Sequence, residues 1–183
     1  MFRFNDANVY WSLYVLSSGR CMGRKRLAGE VGVGEGSMRR IIDTLKEWEF
    51  IQIKQTGITI TKAGLAFLQQ IPIKPVDVKV PDSVKGEFQQ AVLVLGVADK
   101  VKNGMEQRDV GIKVGAEGCT TIIIRDGKLM VPPDWDMDEK DPSKAAEIRE
   151  VTGMTPADVL IIGGADSQCR AVEAAVSAAL ELF

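Results

Sequence analysis

Two adjacent arginines, Arg39 and Arg40, stand two residues after Ser37, near the start of a stretch with helical spacing. An arginine carries a planar fork of donors that matches phosphate oxygens and the guanine edge. A helix N-terminus adds unpaired backbone amides and the positive end of the helix dipole, both favourable beside phosphate. Lys25 and Arg26 precede this group on a shorter helical stretch, and Lys54 and Gln55 follow it at a turn. Basic and hydrogen-bonding side chains around one helix start point to double-stranded DNA as the partner. The plainer alternative is a solvated charged face.

The elements that must position these residues are legible in order. Lys25–Glu30 is helical, with Leu27 and Ala28 turned inward, and Val31-Gly32-Val33-Gly34 is a glycine-punctuated turn. Glu35–Trp48 is a longer helix whose stripe is Met38, Ile41, Ile42, Leu45 and Trp48. Its opposite face holds Gly36, Arg40, Asp43, Thr44 and Glu47, with Arg39 and Lys46 on a flank. Phe50–Lys54 and Ile58–Ile60 alternate as strands around Gln55-Thr56-Gly57, which predicts a hairpin. Asn5 and Asp6 cap a first helix reaching Leu16, and Thr61 caps a helix at Ala63–Ile71.

Composition narrows the function classes. The 183 residues are 45% apolar and 26% charged, as in a packed globule. Residues 1–74 hold 11 Lys+Arg against 6 Asp+Glu, a net of +5, and the remainder holds 12 against 19, a net of −7. A basic half beside an acidic half fits one part that touches nucleic acid and another that does not. The chain has no histidine, which removes histidine triads and histidine metal ligands. Its three cysteines, Cys21, Cys119 and Cys169, form no CxxC pair. No catalytic set, metal site or cofactor is expected. No apolar run is long enough to span a membrane, and no signal-peptide pattern opens the chain, so a cytoplasmic location is expected.

Composition shifts at Ile71–Ser83, where Pro72, Pro75 and Pro81 exclude a helix and Val76, Val78 and Val80 alternate. Residues 72–83 are read as a proline-rich linker or edge strand between domains 1–71 and 84–183. Beyond them, Gln90–Val97, Thr120–Arg125 and Asp158–Ile162 are apolar strands, with a hairpin at Asp126-Gly127 returning through Lys128–Val131. Helices are expected at Met105–Val114, Ser143–Val151 and Ser167–Leu182. The fold class is therefore α/β (mixed α+β): a winged helix-turn-helix followed by a small α/β domain with some parallel strands. Arg108 and Lys113, with the turn Gly163-Gly164 between a buried strand and a capped helix, are the residues for binding a small polar metabolite. Neither GxGxxG nor GxxxxGK[ST] occurs, and a glycine turn capped by Asp166 is the bland reading. The acidic run Asp134–Asp141 fails the calcium-loop pattern at its sixth and twelfth positions and reads as a solvated loop. The last helix is rich in small residues, among them Ala171, Ala175 and Ala178. It is either buried against the sheet or one half of a homodimer seam.

The run LAGEVGVGEGSMRRIIDTLKEWEFI, with the hairpin after it, resembles winged-helix transcriptional regulators. Over its whole length the chain resembles a family of uncharacterised archaeal proteins that join such a domain to a small α/β domain of unknown function. The stretches that carry this are GMEQRDVGIKVGAEGCTTIIIRDGKLMVPPD and DVLIIGGADSQCRAVEAAVSAAL. The resemblance implies transcriptional regulation and assigns nothing to the second domain. An enzyme with an accessory winged helix and a protein-interaction module stand as alternatives.

Overall fold

The computed structural model describes residues 4–80 and 84–183. They form two compact units, Met1–Ile71 and Pro72–Phe183.

The first unit runs α1 (Asp6–Leu16), α2 (Arg24–Val31), α3 (Glu35–Glu47), β1 (Ile51–Lys54), β2 (Gly57–Ile60) and α4 (Lys62–Gln70). This is the element order of a winged helix-turn-helix. Asn5 caps α1 reciprocally with Asn8, each side chain accepting the other's backbone N–H. Gly32 ends α2 in the left-handed conformation, φ 78°, which a Cβ would strain and which turns the chain sharply into α3. Leu13, Leu16, Leu27, Met38, Ile41 and Leu45 close one core beneath these helices. Trp48 departs from the expected stripe: it follows the last helical residue and is 50% exposed. The helix ends before its side chain can turn inward, and it meets Phe50 edge-on at 5.9 Å instead. β1 and β2 pair antiparallel around a two-residue turn, Lys54 opposite Gly57. Met22 exchanges both backbone hydrogen bonds with Ile58, which ties the hairpin to the segment entering α2. Thr61 caps α4 by accepting the Gly64 N–H and donating to the Glu49 carbonyl.

The second unit is a six-stranded sheet in the order β3-β4-β8-β5-β6-β7. Its strands are β3 (Ile73–Val76), β4 (Phe88–Val94), β5 (Gly118–Arg125), β6 (Lys128–Val131), β7 (Trp135–Asp136) and β8 (Val159–Ala165). Every pairing is antiparallel, which corrects the expected parallel strands. β4, α5 (Met105–Lys113) and β5 do form a crossover, but β8 inserts between the two strands and runs against both. The apolar runs look parallel because both faces of the sheet are covered. Val92, Val94, Ile161 and Ile123 share the face that packs on α5 and α8 (Gln168–Leu180). Ala91, Leu93, Leu160 and Ile122 share the other, against Met137, Ala145 and Ile148 of α6 (Met137–Lys140) and α7 (Pro142–Thr152).

Residues 72–80 belong to this unit. β3 is an edge strand paired with β4, which is where Pro75 can be accommodated without losing a ladder bond. Val78 and Val80 are 3% and 2% exposed in its core. The remaining linker positions, 81–83, lie outside the described residues. The acidic run is not a solvated loop. Asp136 is buried, pairs with Lys128 at 2.6 Å and caps α6. Asp138 takes a two-pronged contact from Arg149, with its Oδ2 at 2.7 Å from one guanidinium nitrogen. Asp141 caps α7 by accepting from Lys144.

Candidate functional site

The two arginines are held outward by the core beneath them. Met38, Ile41, Ile42 and Leu45 anchor one side of α3, so Arg39 and Arg40 are exposed on the other. Gly34 precedes the helix and offers no side-chain cap, leaving the first-turn amides of α3 open. Lys25 and Arg26 are exposed on α2, and Lys54 and Gln55 are exposed at the tip of the β1–β2 hairpin. Among the described residues Lys25, Arg39 and Lys54 hold no ion pair. Arg26 pairs with Glu30 at 3.8 Å, and Arg24 pairs with Glu35 at 3.5 Å at the start of α3. Both are surface pairs, weak and exchangeable for phosphate. Ser37 departs from the expectation. It is 8% exposed, because it stands one residue before Met38 and four before Ile41, at the edge of the buried stripe of α3.

The metabolite residues of the second unit are not brought together. Gly163 and Gly164 lie inside β8, not in a turn after it. A Cβ on Gly163 would overlap the Ala171 carbonyl oxygen, and one on Gly164 would overlap the Lys85 carbonyl oxygen. The chain itself fills the space over both glycines, α8 on one face and the segment 84–86 on the other. Asp166 does not cap α8: Ser167 holds that position without a side-chain cap, and Asp166 pairs with Arg170 at 2.8 Å. Lys113 is exposed at the last position of α5. Arg108 pairs with its neighbour Asp109 at 3.1 Å.

Arg108 lines a cleft of about 410 Å³. Gly104 and Met105 at the start of α5 form its other near-side residues, and Thr121 of β5 with Val131 and Pro132 form the facing wall. Thr121 is 2% exposed, and its hydroxyl has no hydrogen-bond partner among the described residues. Cys119, also on this wall, is buried, and burial pushes its thiol up to about 12, so it stays protonated and inert. In sequence, Thr120-Thr121 follow the glycine-rich helix-to-strand turn after Arg108, and the packing of α5 across β5 sets Thr121 opposite Arg108.

The alanines of α8 do not form a seam between copies. Ala171, Ala175 and Ala178 are fully buried within this single chain. Their small size lets α8 settle onto Gly163, and Ala174 approaches within 3.7 Å of a Cβ built on Gly111 of α5. Among the described residues no helix is long and apolar enough to cross a membrane, and no group of three or more His, Cys, Asp or Glu could hold a metal.

Residues 10–73 match the family described as the CggR N-terminal DNA binding domain. No curated protein matches the chain. A hypothetical protein from Pyrococcus horikoshii OT3 is similar in fold, with a TM-score of 0.79 at 22% identity, covering 98% of this chain and 93% of its own. Residues 84–182 match a domain of unknown function, DUF4443, and since that match spans more than half of the sequence, the chain belongs to the DUF4443 family.

Proposed function

We propose that this protein is a cytoplasmic DNA-binding transcriptional regulator, acting by binding and not by catalysis, whose second domain senses a small polar metabolite. The observation that carries the reading is the arginine pair. Arg39 and Arg40 project from the helix whose opposite face closes the core, at an uncapped N-terminus, within a segment similar to a DNA-binding domain. In this reading α3 enters the major groove, Arg39 and Arg40 reach base edges or phosphates, and Lys25, Arg26, Lys54 and Gln55 hold the flanking backbone. A symmetric operator would take two copies of the chain. The buried alanine face of α8 is not the surface that joins them.

The test is retention of genomic DNA fragments by the full chain at several salt concentrations. Binding that weakens as salt rises supports the reading. No retention at low salt would sink it. One observation favours a second reading, a protein-interaction module. Trp48 and Phe67 are partly exposed around Phe50, which stacks on Phe67 at 4.6 Å. Absent DNA retention together with saturable binding of a protein partner, lost on Trp48→Ala, would establish it instead.

A further inference from the structure

We propose that the cleft between the first turn of α5 and the β5–β6 wall binds a small organic carboxylate with an apolar body. This deepens the sensing role proposed for the second domain by naming its site and the chemistry of its ligand. The cleft volume, about 410 Å³, lies in the range of small-molecule pockets, roughly 300–1,000 Å³.

Its polar features converge. Gly104 precedes α5 in the left-handed conformation, φ 73°, and brings no capping side chain. Asn103 Oδ1 takes the Met105 N–H at 3.0 Å. The following first-turn amides have no carbonyl within the helix to receive them. Arg108 stands one turn along, where an anion at the helix start meets its guanidinium. Its partner Asp109 is a sequence neighbour, and both side chains are more than half exposed, 57% and 68%. Such a pair yields readily to a better-placed carboxylate.

Thr121 is the second, independent pointer. A buried hydroxyl without a partner is unfavourable, and native interiors seldom keep one. Thr121 sits directly behind the start of α5: a Cβ on Gly104 would lie 3.3 Å from the Thr121 Cβ and 3.5 Å from its hydroxyl oxygen. Any side chain at position 104 would close the space between them. Rotation about χ1 exchanges the threonine methyl and hydroxyl, so the hydroxyl can donate to an acceptor held in the cleft.

Apart from Thr120, the rest of the lining is apolar. Met105 is 51% exposed, and its flexible thioether can fold over a ligand. Val131 and Pro132 face it. One guanidinium fork, one hydroxyl and a helix start suit a single carboxylate, and the apolar walls suit a short branched hydrocarbon body. Inorganic phosphate would leave those walls uncovered.

The test uses the full chain, with its methionine and threonine methyl groups followed by NMR during titration with 4-methylpentanoate. Saturable shifts at Met105 and Thr121 are expected. The neutral 4-methylpentanamide should bind at least about tenfold more weakly, and Arg108→Gln should cost the carboxylate a similar factor. Thr121→Val should weaken binding of acid and amide alike while leaving the melting temperature equal or raised, because it removes an orphan hydroxyl. No saturable shift with 4-methylpentanoate overturns the proposal. So do equal affinities for acid and amide, a response to inorganic phosphate alone, or a lower melting temperature in Thr121→Val, which would show that the hydroxyl has a structural partner. DNA retention is measured on the same protein. Its absence overturns the regulatory reading and leaves the ligand shifts standing, and the converse holds as well.

Discussion

Arg39 and Arg40 illustrate how little of a side chain's role lies in its identity. Both are exposed because four residues of α3 are pinned beneath them. Ser37, nearer the helix start, is turned inward by the same packing. Arg39→Ala and Arg40→Ala should each weaken DNA binding by about 1–3 kcal/mol if they reach base edges, whereas Ser37→Ala should leave the DNA affinity unchanged at constant fold. Anisotropy titrations of the three variants against one retained fragment separate these outcomes. A double arginine variant that binds like the parent would remove α3 from the interface. Asp138 makes a different prediction. The Arg149 hydrogen bonds hold its carboxyl below the usual carboxylate range, against a smaller opposing effect of burial. A depressed folded-state value stabilises above the unfolded carboxyl's value, and that stability is lost as pH falls through the folded one. Asp138→Asn should therefore cost stability at neutral pH, at most about 1 kcal/mol for a pair this exposed. The difference from the parent should vanish in acid. Urea midpoints at pH 7 and at low pH measure both.

At the scale of elements, the wing and the last helix carry the argument. The β1–β2 hairpin presents Lys54 and Gln55 at its exposed tip and is tied back through Met22 and Ile58. Lys54→Ala should reduce the salt slope of DNA binding by about one and leave sequence preference alone, since a phosphate contact carries no sequence information. An unchanged slope would place the wing away from the duplex. Helix α8 is a packing element. Ala175 is fully buried, and its backbone nitrogen would lie only 2.8 Å from a Cβ on Gly163. Ala175→Glu should unfold the second unit, at a cost above about 3 kcal/mol, by burying an unpaired charge where no volume exists. A variant that keeps its fold and merely changes oligomeric state would restore the seam reading.

Among the described residues, Leu13, Leu27, Met38, Ile41 and Leu45 cluster in the core of the first unit, and Leu93, Ile122, Ile148 and Leu160 in that of the second. Each is closed within its own unit. Calorimetry should resolve two transitions. Ile41→Ala should lower one of them and Leu160→Ala the other, each by the roughly 2–5 kcal/mol of a large-to-small core change. A single transition moved equally by both substitutions would contradict separate units.

What the sequence by itself determined is local. Caps such as Asn5 and Thr61, the glycine turn at Gly32, the helical stripe of α3 and the Asp126-Gly127 hairpin depend on neighbours a few residues away, so they are readable along the chain. The likeness of residues 10–73 to a DNA-binding domain was legible for the same reason. Strand direction was not, because an apolar run records that both faces are covered and not which way its neighbour runs. Only the tertiary structure set β8 between β4 and β5, turning a βαβ pattern into an antiparallel sheet. The same placement filled the glycines with helix and loop backbone and made a core of the alanines. It also put Thr121 opposite Arg108, across the start of a helix that the chain reaches many residues before β5. Contacts between residues distant in sequence depend on how layers close over one another, and no local period encodes that closure.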